Sequence, residues 1–457
     1  GQASRLRSQG LDGLYHQSQK GGGINISALP KYLSPNQNNE KVSHFSSCNA
    51  RGVMEILILI VQVFVVVMGI ATGFAYLTLL ERRLLARFQN RIGPNRAGPG
   101  GFFQPLADAV KLFFKEDIIP LAADRWVYLL APAFAVIPAL IIWAVIPLGC
   151  WNVLGEPGVC FAVPETRPEG FRNILQIAEV NVGILYIMAV TSIGVYGITL
   201  AGWASNSKYA LLAGLRSSAQ LISYELSLGT AILGAVMITG TFSTSEMVYN
   251  QAGMWAIVPQ FLGFVIFLIS ATAELVRAPF DLVEAEQELT SGYNTEYSSM
   301  KFALFFMSEY IKMIALSAVG VVLYLGGWRF PGLEALGTMV TGVAGPLVGS
   351  AVVGIASLVV FGIKTLFFLF LLIWLRASWP RVRYDMLMSI GWKWLLPLSL
   401  INVVITAVVV VLVPGRMVQS IVLLVLGIAI LAGATIINTN SRTNRLNLLQ
   451  TRMEMRR

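Results

Sequence analysis

Nine stretches of the chain are almost continuously apolar, and most polar residues lie between them. They run at roughly 55–79, 127–148, 175–200, 218–240, 255–273, 302–325, 349–375, 394–413 and 417–437. Each offers about 20 apolar residues, enough at ~1.5 Å per residue to cross ~30 Å of hydrocarbon. Leu, Ile, Val, Ala and Gly follow one another without the alternation of a barrel strand. The pattern predicts an all-α polytopic membrane protein with about nine transmembrane helices. The stretch 218–240 is the most polar, since it holds Gln220 and Glu225, and rests on the apolar run from Leu228 to Ile238.

One segment has helical periodicity instead. Between Gln104 and Phe114, the residues Leu106, Ala109, Val110, Phe113 and Phe114 share one face, with Asp108, Lys111 and Lys115 elsewhere. This predicts an amphipathic helix lying in the membrane interface. The residues before it, from Gly93 to Pro105, are rich in Gly and Pro. Such residues allow positive φ and lack amide donors, respectively, and predict a compact irregular loop.

Composition agrees. The chain is 56% hydrophobic and 12% charged, with mean hydropathy +0.69. Ordinary globular domains carry about 25% charge. The net charge of +9 calls for no nucleic acid, because the Lys and Arg residues are sorted by loop. Segments after the first, third, fifth, seventh and ninth stretches hold 21 of them, and the intervening loops hold four. By the positive-inside rule the N-terminus lies outside and the C-terminus inside. The loops at 81–126, 201–217, 274–301 and 376–393 then face inward.

Three regions follow. Residues 1–53 form a polar tail rich in Ser, Gln, Asn and Gly, in which little can form a core. Residues 54–440 form the membrane domain, and 441–457 a basic inner tail. The two histidines, His16 and His44, both lie in the first region. Paired-histidine haem ligation within the bundle is therefore excluded. The cysteines Cys48, Cys150 and Cys160 make no CxxC motif, so no four-cysteine cluster or zinc site fits and no metal is expected. Cys150 and Cys160 flank a short outer loop, where a disulfide and two unpaired thiols are both open readings.

The candidate chemistry is acidic. Seven carboxylates fall between Glu274 and Glu309: Glu274, Asp281, Glu284, Glu286, Glu288, Glu296 and Glu309. Glu179, Glu225 and Lys364 fall within other apolar stretches. An ionisable group in a bilayer costs at least ~2.5 kcal/mol unless paired, hydrated or neutralised. Internal pairs such as Glu274 with Arg277, or Glu309 with Lys312, would satisfy some of them. Several together, beside an acidic loop, point to a hydrated polar track that can carry protons.

Three long segments give a resemblance: "ERRLLARFQNRIGPNRAGPGGFFQPLADAVKLFFKED", "GWASNSKYALLAGLRSSAQLISYELSLG" and "AELVRAPFDLVEAEQELTSGYNTEYSSMKFALFFMSEY". They resemble the signatures of the quinone-site membrane subunit of respiratory complex I, NADH:quinone oxidoreductase. The later "RASWPRVRYDMLM" matches too, and the resemblance covers roughly residues 54–440. Ala86 stands where many members carry Gly.

The resemblance implies a subunit without a complete activity of its own. It joins a hydrophilic redox arm to a proton-pumping membrane arm of small and antiporter-like subunits. Quinone, either ubiquinone or menaquinone, is the substrate, while flavin and iron–sulfur clusters sit on partner subunits. Carried over by motif, Arg82, Arg87, Arg91, Arg96 and Asp108 line or support a quinone channel mouth, and Phe280 lies deeper. Glu225, Glu274, Arg277, Asp281, Glu284, Glu286, Glu296 and Glu309 form the charged track. The location implied is an energy-transducing membrane, the bacterial plasma membrane or alternatively the mitochondrial inner membrane. Two other readings compete: a homologous subunit fed by ferredoxin, another carrier or a hydrogenase, and a free-standing ion transporter.

Overall fold

The computed structural model describes residues 35–151, 160–161, 173–281 and 292–454. They fall in two units. The first, Gly1–Ile60, is described only from the start of helix α1 (Pro35–Phe88). The second, Val61–Arg457, carries the other helices. These are α2 (Gln104–Phe114), α3 (Arg125–Ile141), α4 (Gly183–Ala204), α5 (Lys208–Thr239), α6 (Thr244–Asn250), α7 (Phe261–Glu274) and α8 (Ser299–Tyr324). After them come α9 (Leu333–Ala344), α10 (Pro346–Ser378), α11 (Tyr384–Ile390), α12 (Leu396–Leu412) and α13 (Arg416–Glu454).

Among the described residues, eight spans are long and apolar enough to cross a membrane. They lie in α1, α3, α4, α5, α8 and α10, in the joined pair α11–α12 and in α13. The protein is an all-α polytopic membrane protein. α8 is the most buried of these spans and forms the centre, whereas the α1 and α13 spans expose most of their surface. α8 packs on α3 and α10, α4 packs on α3 and α5, and α7 and α12 both lie along α5.

The ninth expected span, 255–273, is shorter than its hydropathy predicts. α7 has 14 residues, about 21 Å at ~1.5 Å per residue, less than the ~30 Å of a bilayer core. The residues before it form turns. Pro259 lacks an amide donor and disfavours helix at the residue preceding it. Cross-links also hold the segment: Gln251 Nε2 donates to the Val322 carbonyl at 2.9 Å, and the Ile257 amide to the Tyr324 carbonyl at 2.9 Å.

The expected span 175–200 also shifts, since α4 begins only at Gly183. Side chains satisfy the backbone before it and so compete with helix. Asn173 Oδ1 accepts from the Trp151 and Leu175 amides, and Gln176 Nε2 donates to the Val145 and Ala178 carbonyls. Glu179 consequently lies outside the helix and exposed, not within a span.

Several polar residues inside the bundle are matched to partners. Gln220, which makes α5 read weakly as a span, donates Nε2 to the Ala273 and Phe280 carbonyls at 2.9 and 3.0 Å. Gln260 donates to Thr406 at 2.7 Å and accepts from Asn402 at 2.8 Å, tying α7 to α12. Small residues leave room for this network: a Cβ on Gly234 or Gly263 would come within 2.7 Å of Gln260 Oε1. Close small-residue packing bridged by interhelical hydrogen bonds is how membrane helices associate without a hydrophobic driving force.

Candidate functional site

The site grows from the end of α7. The helix stops at Glu274, and Val276 takes φ 51°. A β-branched residue at positive φ is a steric outlier costing ~1–3 kcal/mol. The turn it makes carries Arg277 off the helix. Arg277 therefore does not follow Glu274 at helical spacing, and the internal pair expected between them is replaced by another.

Its partner is Glu81, on α1. Arg277 Nη1 donates to both Glu81 oxygens at 2.7 and 2.6 Å. Arg376, at the end of α10, also donates to the same carboxylate. The Arg277 guanidinium lies 4.3 Å from the Tyr310 ring centroid, a cation–π contact. Glu81 is 2% exposed. One buried carboxylate thus gathers α1, the α7–α8 connection and α10 around the aromatic face of α8. The sequence pattern singles out neither Glu81 nor Arg376, although both lie inside the segments that carry the resemblance. A carboxylate at the end of an apolar run, directly before Arg82 and Arg83, reads as an ordinary boundary charge.

A second group lies within the bundle. Glu225 on α5 accepts from Ser192 on α4. Glu309 on α8 accepts from Tyr293 Oη at 3.1 Å. Lys312 lies one turn beyond Glu309, and its ammonium interacts electrostatically with Glu274, Glu309 and Glu225. Glu309 in turn interacts with Arg277 and Asp281. Glu274 and Lys312 line one cavity with Ile142, Ile187, Thr191 and Leu316. The charged side chains therefore follow one another from Glu225 through Glu274, Lys312 and Glu309 to Arg277, Glu81 and Arg376.

Other candidates sit elsewhere. Phe280 is buried against Tyr224, with ring centroids 5.9 Å apart. Glu296 stands beside Tyr128, whose hydroxyl donates to the Glu296 carbonyl at 2.6 Å. Lys364 is no member of the group: its ammonium donates to the Leu325, Gly327 and Arg329 carbonyls at 2.7, 2.9 and 2.6 Å. It thus satisfies three carbonyls of the connection just beyond the end of α8, backbone acceptors that need a partner when buried. Glu284, Glu286 and Glu288 lie outside the described residues.

Near α1 the structure forms the amphipathic helix at Gln104–Phe114. Leu106, Val110, Phe113 and Phe114 are 62, 48, 67 and 81% exposed within this chain. Arg82 pairs with Asp108 at 2.7 Å, tying α2 to α1. Arg87, Arg91 and Arg96 are exposed, and Arg91 Nε donates to Gln89 at 2.8 Å. Gly101 explains part of the glycine content before α2: at φ 79°, a side chain there would collide with the Pro94 carbonyl. In the connection after α3, Cys150 and Cys160 are joined by a disulfide with Cα atoms 5.7 Å apart, within ordinary geometry.

Comparisons with known proteins bear on three quarters of the chain. A family described as NADH dehydrogenase matches residues 61–407. An H-type subunit of the NADH-quinone oxidoreductase of Geobacter metallireducens is 46% identical over 353 residues, 77% of this chain and 96% of the relative. The H-type subunit from Deinococcus deserti is 48% identical over 357 residues, 78% of this chain and 84% of the relative. NADH-quinone oxidoreductase subunit 8 of Thermus thermophilus is 46% identical over 352 residues, 77% and 86% respectively. With three quarters of its length matched by the family and by relatives of this similarity, the chain belongs to the NADH dehydrogenase family of membrane subunits.

Proposed function

We propose that this chain is the membrane subunit of a proton-pumping NADH:quinone oxidoreductase that admits quinone and couples its reduction to proton translocation. The subunit carries no complete activity alone, and its electrons come from flavin and iron–sulfur clusters on the redox arm. The names of its relatives favour NADH as the electron source over ferredoxin or a hydrogenase. α2, with its apolar face outward and its Arg82–Asp108 tie to α1, is the proposed channel mouth, with Arg87, Arg91 and Arg96 around it and Phe280 deeper.

The observation that carries the reading is the succession of charged side chains from Glu225 to Arg376. Two protons must reach a quinone as it becomes a quinol, and charge develops in a poorly hydrated site. Preorganised charges stabilise that change strongly where water is scarce. Carboxylates that interact electrostatically, as Glu225 and Glu274 do, share protons over the group, so a change at the Arg277 end alters proton occupancy at the Glu225 end. By their motif Glu284 and Glu286 are assigned to the same track, together with Glu296. Residues 251–260 together with α7 complete a ninth crossing, which keeps the N-terminus outside and the C-terminus inside, in a bacterial plasma membrane.

Glu225→Gln tests this. The substitution keeps shape and hydrogen bonding and removes a titratable group. Quinone-dependent turnover per assembled complex falls about tenfold or more, a loss of about 1.4 kcal/mol of barrier lowering, while artificial-acceptor activity of the redox arm is retained. If the acids only dock the redox arm, the arm detaches in proportion to the lost activity, and turnover per intact complex stays normal.

A further inference from the structure

Lys312 stands near the middle of α8, the most buried span, and the sequence offers it only as a pair partner for Glu309. Its surroundings are specialised. Gly194 of α4 faces it: a Cβ at that position would fall 2.5 Å from Lys312 Nζ and 3.1 Å from Cε. The absence of a side chain at residue 194 is therefore what makes room for the ammonium. Three carboxylates from three different helices act on it: Glu274 on α7, Glu309 on α8 and Glu225 on α5. Arg277 and Asp281 act on the group through Glu309.

The space between Lys312 and Glu274 is polar at one wall. Thr191, Glu274 and Lys312 line the same cavity as Ile142, Ile187, Ala315, Leu316 and Val319. Glu274 Oε2 is buried there without a hydrogen-bond partner. A buried carboxylate oxygen without a partner costs a desolvation penalty of ~1–3 kcal/mol or more. A facing ammonium offsets that cost in a low-dielectric interior, where a cation and several anions interact far more strongly than in water.

We infer that Lys312 is the positioning cation of the carboxylate track, held against Gly194 so that one ammonium faces Glu225, Glu274 and Glu309 together. It touches no quinone and acts through the carboxylates. A single cation among three anions makes their proton occupancies interdependent, since gain of a proton by one frees the ammonium toward the others. Lys312 thus joins the Glu225 end to the Arg277 end of the track. This inference rests on the coupling function proposed for that track.

The test is Lys312→Met in the assembled complex, a change that keeps length and packing but removes the charge. Expected are a loss of about tenfold in quinone-dependent turnover per complex, retained artificial-acceptor activity, and a displaced pH profile of turnover, which a packing defect would not produce. Normal turnover with an unmoved pH profile overturns the inference. If Lys312→Met does not assemble, Gly194→Ala takes its place, because the added methyl displaces the ammonium and leaves every charge present. Reduced turnover in Gly194→Ala then supports the inference, and unchanged turnover refutes it. Normal Lys312→Met beside impaired Glu225→Gln removes the cation's role and leaves the track standing. Normal turnover in both variants removes the track itself.

Discussion

Arg277 Nη1 donates to both oxygens of Glu81 although the two residues are 196 positions apart in the chain. The pair is almost fully buried, with side chains 11 and 3% exposed. It joins α1 to the turn after α7, and Arg376 adds α10 to the same carboxylate. Taking such charges out of water is costly, and the compensation lies in several good contacts to one group.

Glu81→Gln should therefore act on the fold before it acts on chemistry. It leaves two guanidinium groups, Arg277 and Arg376, around a neutral amide. Removing one partner of a buried pair costs ~3–5 kcal/mol. The expected result is a lower yield of assembled complex and an earlier thermal transition of the complex that does form. Unchanged yield and unchanged thermal stability would show that the pair contributes little.

Asp108→Asn is the contrasting case. Arg82 and Asp108 are 47 and 33% exposed, and exposed pairs contribute ~0–1 kcal/mol. Thermal stability of the complex should move by less than about 1 kcal/mol equivalent. If α2 forms the channel mouth, the effect appears instead as a higher quinone KM, because α2 loses its tie to α1. Unchanged KM would remove Arg82–Asp108 from the channel.

How much of the molecule is legible in its sequence depends on the residue. The spans are legible because hydrocarbon demands long apolar helices. α2 is legible because its five apolar residues repeat at helical spacing. α7 falls short of the expected span because hydropathy reports burial, and residues 255–260 are mostly buried or half-buried turns, one of which finds its backbone partner on α8. Glu225, Glu274 and Glu309 stand out as acids amid apolar residues. Glu81 does not, since its importance comes from Arg277 and Arg376, contacts over 196 and 295 positions that no local pattern encodes. Lys364 misleads for the same reason: its carbonyl partners lie 35 to 39 positions away.

The disulfide offers a check on orientation that is independent of the count of Lys and Arg. Disulfides persist in oxidising compartments and are rare in the cytosol. A bonded Cys150–Cys160 pair therefore accords with the outer position proposed for the loop after α3. In intact cells, a cysteine introduced at the exposed position 179, in the same connection, should react with an impermeant thiol label. Cysteines introduced at the exposed positions 87 or 96 should react only after the membrane is opened. The reverse pattern would invert the orientation.

Residues 1–53 are proposed to be a tail outside the membrane core, in line with a family match that begins at residue 61. Their removal should leave assembly and quinone reduction nearly unchanged. Failure to assemble after that truncation would show that the tail holds a partner.

The central claim is that one charged track serves both quinone reduction and proton translocation. The measurement that addresses it most directly is the number of protons translocated per quinone reduced, alongside turnover, in proteoliposomes containing the complex with Glu225→Gln or Glu309→Gln. Neutralising either acid interrupts the succession on one side of Lys312. Turnover and translocation are expected to fall together, by about tenfold or more in each, with the redox arm attached and active toward artificial acceptors. Normal turnover with normal translocation in both variants would contradict the account and leave these carboxylates as structural members of the bundle.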